Sequence, residues 1–218
     1  IMRDDLSKRI LTSIILAFIL IACLFISNYS WLFLLIIVSI ICYFEFNYLA
    51  KKIWKKKLSY IYLSNIISFF YLIFFAYSAY EVAKINVENI LFVLLICIFS
   101  DTGGYFIGKL IGGKKLTKIS PNKTISGSLG SFVFSLVPFI FLLIFKEISD
   151  RNIIQLFFIT MILSFICQSG DLFISYFKRK ANVKDTGSVL PGHGGLLDRI
   201  DGIIFAIPVA YFLYKLLF

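Results

Sequence analysis

Residues 90–110 read "ILFVLLICIFSDTGGYFIGKL", an apolar run interrupted by an aspartate and three glycines. Residues 90–100 alone are too few to cross a bilayer, whose hydrocarbon core takes about 20 helical residues. The segment spans only if it continues through Asp101 to about Leu110, which places that carboxylate in the membrane region. Span 152–177 likewise continues through Asp171. The other apolar runs are 10–26, 31–50, 58–80, 127–145 and 196–218. The expectation is an all-α, polytopic transmembrane helix bundle of about seven spans. It forms one integral membrane domain over 1–218 with no soluble domain, because each span must close its own backbone hydrogen bonds in lipid.

Composition agrees, with 60% hydrophobic and 16% charged residues, where soluble domains carry about 25% charged. Cys23, Cys42, Cys97 and Cys167 fall singly inside apolar runs. They form no CxxC pair, metal-ligand spacing or disulfide framework, so they read as buried thiols. The net charge of +10 suggests nucleic acid in a soluble protein, but in a membrane chain lysines first report topology and anionic lipid. No nucleic-acid partner is expected, and the aromatic residues read as bilayer and packing material. Arg3, Lys8 and Arg9 before the first apolar run resemble a secretory signal. "FISNYSWLF" (25–33) offers no clear cleavage site and another span follows, so a retained first helix is expected.

Basic residues set the orientation. Segments 1–9, 51–57, 109–123 and 178–199 hold 3, 5, 5 and 5 lysines and arginines, whereas 27–30, 81–89, 146–151 and the last span hold 0, 1, 2 and 1. By the positive-inside rule the basic segments are cytoplasmic. "KKIWKKK" (51–57) reads as such an anchor, with Trp54 at the interface.

Asp101 and Asp171 then lie towards cytoplasmic helix ends, and Asp198 and Asp201 at the cytoplasmic start of the last span. Each carboxylate costs ~2.5–3.5 kcal/mol at a helix centre and less near the interface. Two readings stand: the carboxylates pair with Arg199, Lys178 or Arg179 and lock the bundle, or they form a cation and phosphate site. The neighbouring loop "GKLIGGKKLTKISPNKTISGSLG" (108–130) favours the second, with Lys114, Lys115, Lys118 and Lys123, hydroxyls, and a helix start at Ser126-Gly127 that suits an anion. A Walker A assignment fails, because Lys115 stands where Ser or Thr belongs and no strand precedes. Gly104, Gly108 and Gly112, spaced by four, read equally well as a close helix-packing face. Glu45 either reaches the acidic cluster or faces the interface.

The stretch "SYFKRKANVKDTGSVLPGHGGLLDRID" (175–201) resembles the signature of the phosphatidate cytidylyltransferases, also called CDP-diacylglycerol synthases. It has Ser, a gap, Lys-Arg, a gap, Lys-Asp, then His-Gly-Gly and Asp-Arg-hydrophobic-Asp. "SDTGGYFIGKLIG" (100–112), "SPNKTISG" (120–127) and "QSGDLFISYFKR" (168–179) are similar to that family too. The motif-bearing catalytic half is about 97–205. The pattern departs at Ile125-Ser126, where the family usually has Trp-Glu.

The resemblance implies the reaction of CTP with phosphatidate to give CDP-diacylglycerol and pyrophosphate. It implies Mg²⁺ on Asp171 and Asp198, with a second cation as an open alternative. It places Lys178, Arg179, Lys184 and Arg199 with these aspartates as catalytic residues. Asp101, Ser120, Lys123, Thr124, Ser175, Asp185, His193 and Asp201 are implied to bind substrate, Asp201 by orienting Arg199 or a metal-bound water. His193, in "PGHGG", is read as positioning its loop or a phosphate oxygen and not as a general base. The implied partners are CTP, phosphatidate and anionic membrane lipid, in a bacterial inner membrane; whether the chain forms a homo-oligomer is left open. A CTP-dependent lipid or polyprenol kinase and a CDP-archaeol-type synthase are the rival enzymes. An ion or solute transporter is the rival of another class, disfavoured because the aspartates gather on one side and no internal repeat is found.

Overall fold

The structure, a computed structural model, describes residues 2–117, 119–145, 150–190, 192 and 194–217. They form α1 (Met2–Ile26), α2 (Asn28–Trp54), α3 (Leu58–Ile85), α4 (Val87–Ile111), α5 (Ile125–Phe145), α6 (Asp150–Lys180), α7 (Leu197–Ile200) and α8 (Ile203–Leu217). The chain divides into two compact units. One holds residues 1–87 and 177–200, the other residues 88–176 and 201–218.

Five helices, α2 to α6, are long and apolar enough to cross a membrane. The shortest, α5, has 21 residues, or about 32 Å at 1.5 Å per residue, against a hydrocarbon core of about 30 Å. Two shorter apolar helices lie at Leu11–Ile26 and Ile203–Leu216. Large apolar side chains such as Phe18, Phe33, Phe70 and Tyr105 stand outward on these helices, as lipid-facing surface does. The all-α membrane architecture is therefore as expected, and α4 and α6 run unbroken through Asp101 and Asp171.

The last span departs from expectation. Hydropathy makes 196–218 one helix, but it breaks after Ile200 and resumes at Ile203 as a helix of 15 residues. The break lies at Asp201-Gly202, where the Gly202 N–H donates to Asp201 Oδ1 at 2.9 Å. A side chain at 202 would press on the Cys167 side chain and come within 2.9 Å of the Cys167 carbonyl oxygen, so glycine lets the turn seat against α6.

In the first unit, α1 turns directly into α2. Ser27 caps α2 by accepting from the Ser30 N–H at 3.1 Å, while Ser30 Oγ accepts from the Ser27 N–H at 3.0 Å. This capping box satisfies two otherwise unpaired donors. Trp31 then donates its indole N–H to the Ala79 carbonyl at 3.2 Å, tying α2 to α3. At the far end of α2, Trp54 stacks on Tyr60 with ring centroids 4.9 Å apart, and Lys180 Nζ lies 5.1 Å from the Trp54 ring.

In the second unit, α4 and α5 meet through glycine. A Cβ on Gly127 would lie 2.7 Å from the Gly104 carbonyl oxygen and 3.3 Å from Gly108 Cα. Both neighbours are backbone, so only glycine fits. Of the two readings of the four-residue spacing, the packing face holds for Gly104 and Gly108. Gly112 differs: it follows the last residue of α4 at φ +64° with open space around it, the left-handed conformation that ends helices.

Candidate active site

The signature residues fall into two clusters, one in each unit. In the second unit α6 carries Asp171, which forms an ion pair with Lys123 from the 112–124 loop. Ser175, one turn further on, donates to Asp171 Oδ1 at 3.2 Å. The i, i+4 spacing puts both on one helix face. On α4, Asp101 lies within electrostatic reach of Asp171 and Lys123, and Cys167 Sγ is 3.7 Å from its Oδ1. Four of the residues singled out in the sequence, Asp101, Lys123, Asp171 and Ser175, are thus brought near one another.

The loop delivers Lys123 by folding on itself. The Leu116 N–H donates to the Lys123 carbonyl at 2.8 Å, and the Lys123 N–H to the Ser120 carbonyl at 3.0 Å. Thr124 precedes α5 and its Oγ1 accepts from the Gly127 N–H at 3.0 Å, the geometry of an N-cap. Ser126 Oγ hydrogen-bonds the Gly112 carbonyl. Thr124 thus has a structural task, and Ser120 contributes its carbonyl to the turn. Lys114 and Lys115 stand exposed on the same loop; Lys118 lies outside the described residues.

In the first unit, Asp198 on α7 is enclosed by four donations. Lys178 Nζ binds Oδ1 at 2.7 Å, while the Thr186 N–H (2.7 Å), Thr186 Oγ1 (3.0 Å) and the Gly195 N–H (3.1 Å) all converge on Oδ2. The Lys178 and Asp198 side chains are only 16% and 6% exposed. In so dry a place removing one partner costs ~3–5 kcal/mol, because the other charge is left buried and alone. Arg179, Lys184, Asp185 and Arg199 are exposed around this cluster. His193 and Pro191 lie outside the described residues. Asp201 is buried in the second unit, with its Oδ1 accepting the Gly202 N–H, so the helix expected to run from Asp198 through it is absent.

The four cysteines are free, three of them buried and Cys23 partly so, as their isolated spacing implies. Among the described residues no group of three or more His, Cys, Asp or Glu is placed to hold a metal.

The sequence profile of the Cytidylyltransferase family matches residues 46–217, which include every residue of both clusters. The chain belongs to the cytidylyltransferase family. Proteins named phosphatidate cytidylyltransferase are similar to it. That of Staphylococcus haemolyticus (strain JCSC1435) is 44% identical over 131 residues, 60% of this chain and 50% of the relative. That of Staphylococcus saprophyticus is 45% identical over 133 residues, with the same shares. That of Bacillus subtilis (strain 168) is 41% identical over 142 residues, 62% and 52% of the two chains. The chain spans about half the length of the curated relatives it matches.

This cytidylyltransferase-family chain also places one functional candidate that the motifs pass over. Glu45, buried in α2, lies against the loop that carries the signature. The available signal was its position, since a lone carboxylate in an apolar span must find donors.

Proposed function

We propose that the chain carries the catalytic segment of a CTP:phosphatidate cytidylyltransferase. A phosphate oxygen of phosphatidate attacks the α-phosphorus of CTP, a bond forms between them, the bond to the β-phosphate bridging oxygen breaks, and pyrophosphate leaves. The observation that carries this reading is that signature residues stand as two ready-made pairs, Lys123 with Asp171 and Lys178 with Asp198. In each, an ammonium lies beside a carboxylate, so the acidic partner holds in place the basic group that would face a triphosphate. The exposed Arg179, Lys184 and Arg199 extend that field to the outer phosphates. The nucleophile needs no general base, because a phosphate monoester with a second pKa of ~6 is mostly dianionic at pH 7. His193 is accordingly given no proton to move, and the residues act by positioning and electrostatics.

Mg²⁺ is part of this proposal, with Asp171 and Asp198 as its protein ligands. Mg²⁺ favours one or two carboxylates plus substrate phosphates over a protein cage, which suits the sparse acidic set. Both Asp171 oxygens accept one donor each, from Lys123 and Ser175, and keep lone pairs to spare. Asp198 has such capacity on Oδ1, whereas Oδ2 already takes two backbone N–H groups and lies against the Thr186 hydroxyl. A bound Mg²⁺ would supply charge neutralisation for the triphosphate and the leaving pyrophosphate. Release of pyrophosphate from CTP that depends on both phosphatidate and Mg²⁺ tests the reading; phosphatidate-independent release would count against it.

The proposed setting is the bacterial inner membrane with both clusters facing the cytoplasm, where CTP is, supported by the charge asymmetry. Lys55, Lys115 and Ser188 are exposed, which makes Lys55→Cys, Lys115→Cys and Ser188→Cys suitable reporters. Each is expected to react with a membrane-impermeant maleimide only after permeabilisation of the cells. Efficient labelling of intact cells at 115 or 188 would overturn the orientation.

A further inference from the structure

Glu45 is 4% exposed in the middle of an apolar helix, a position where an ionisable group is costly unless hydrogen-bonded. Its three partners are all neutral, two backbone N–H groups and one hydroxyl. Oε1 accepts from the Leu196 N–H at 2.8 Å, and Oε2 accepts from the Leu197 N–H and Thr186 Oγ1, each at 2.8 Å. Two glycines let the backbone close over the carboxylate. A Cβ on Gly187 would lie 2.8 Å from Glu45 Oε1, and one on Gly195 would lie 2.5 Å from Oε2. Glu45 also helps to line a cleft of about 490 Å³, together with Asp185–Val189.

The Thr186 hydroxyl joins this carboxylate to Asp198. Thr186 is fully buried, and its Oγ1 lies 2.8 Å from Glu45 Oε2 and 3.0 Å from Asp198 Oδ2. A hydroxyl has one hydrogen, so the two carboxylates compete for it and the Thr186 backbone N–H completes the hold on Asp198. Asp198 in turn fixes Lys178. We infer that Glu45 is a positioning residue for cytidylyl transfer: through Thr186 and the Leu196 and Leu197 amides it sets the Thr186 and Gly195 groups that hold Asp198, and with it Lys178, in place. This rests on the proposed reaction for its catalytic consequence, but the latch itself is a property of the chain.

The test uses Glu45→Gln, which keeps the volume but puts an amide NH₂ where one backbone N–H needs an acceptor. In the purified full chain, hydrogen exchange at the Leu196 and Leu197 amides should accelerate at least about tenfold, since freed loop amides open at low cost. Exchange along α3 should be unchanged. In the CTP assay kcat should fall about tenfold to a hundredfold, the scale of a small misplacement, with the KM for phosphatidate unchanged. Thr186→Ser should retain turnover, Thr186→Val should match Glu45→Gln, and the double variant Glu45→Gln with Thr186→Val should lose little more. Native protection at Leu196 and Leu197, or protection lost equally along α3, would overturn the latch. Additive losses in the double variant would overturn it too. If the wild-type chain releases no pyrophosphate, the reaction falls and the exchange result alone decides the latch.

Discussion

Asp171→Asn is expected to lower turnover by more than about a hundredfold while the protein inserts and folds normally. Loss of a group that merely supports a metal ligand costs ~10–100-fold, and Asp171 is proposed as the ligand itself. The substitution is structurally mild, because Asp171 and Lys123 are 25% and 28% exposed and water can solvate the lysine left behind. Asp198→Asn should be as damaging for a second reason. Its Oδ2 collects two backbone N–H groups and a hydroxyl, so an amide there disturbs the loop as well as the charge. The double variant should be little worse than either single one, since residues acting as a unit are non-additive. Steady-state kinetics with CTP and phosphatidate, alongside thermal unfolding in detergent, separates these effects. Multiplicative losses, or full activity in EDTA, would count against a shared ion.

Gly127→Ala is expected to destabilise the second unit by forcing α4 and α5 apart. The added methyl would stand 2.7 Å from the Gly104 carbonyl oxygen, 3.1 Å from Thr124 Oγ1 and 3.3 Å from Gly108 Cα. The first and last of these are backbone atoms, so α4 and α5 must separate. Overpacking of this kind costs ~1–3 kcal/mol, and the upper end applies where backbone meets backbone. Gly112→Ala is the control: it meets no neighbour within 4 Å and suffers only the left-handed backbone, ~1–2 kcal/mol. Thermal unfolding in detergent should show Gly127→Ala as the less stable of the two. The reverse order would mean that the α4 and α5 contact does not carry the unit.

How much of this was legible beforehand differs residue by residue. That Asp101 and Asp171 lie inside continuous helices followed from counting, because their apolar runs are too short to span without them. The break at Asp201-Gly202 was hidden, since hydropathy averages over residues and cannot register that Gly202 is pressed against Cys167. Spacing by four offered two readings of Gly104, Gly108 and Gly112. The partner helix chose packing for the first two, and a left-handed φ gave the third a different task. The resemblance implies substrate binding for Thr124, and its capping role was not legible because it depends on where α5 begins. Glu45 was visible as an anomaly, but its partners at Thr186, Leu196 and Leu197 are more than 140 positions away, a distance no local pattern bridges.

Which phosphorus of CTP is transferred separates a cytidylyltransferase from a kinase. The decisive measurement is the label recovered in lipid after incubating purified protein and phosphatidate with CTP carrying ³²P at either the α or the γ position. Cytidylyl transfer predicts that α-label enters a cytidine-containing lipid while γ-label leaves as pyrophosphate. Lipid labelled from the γ position, with CDP released, would contradict the account and identify a kinase instead.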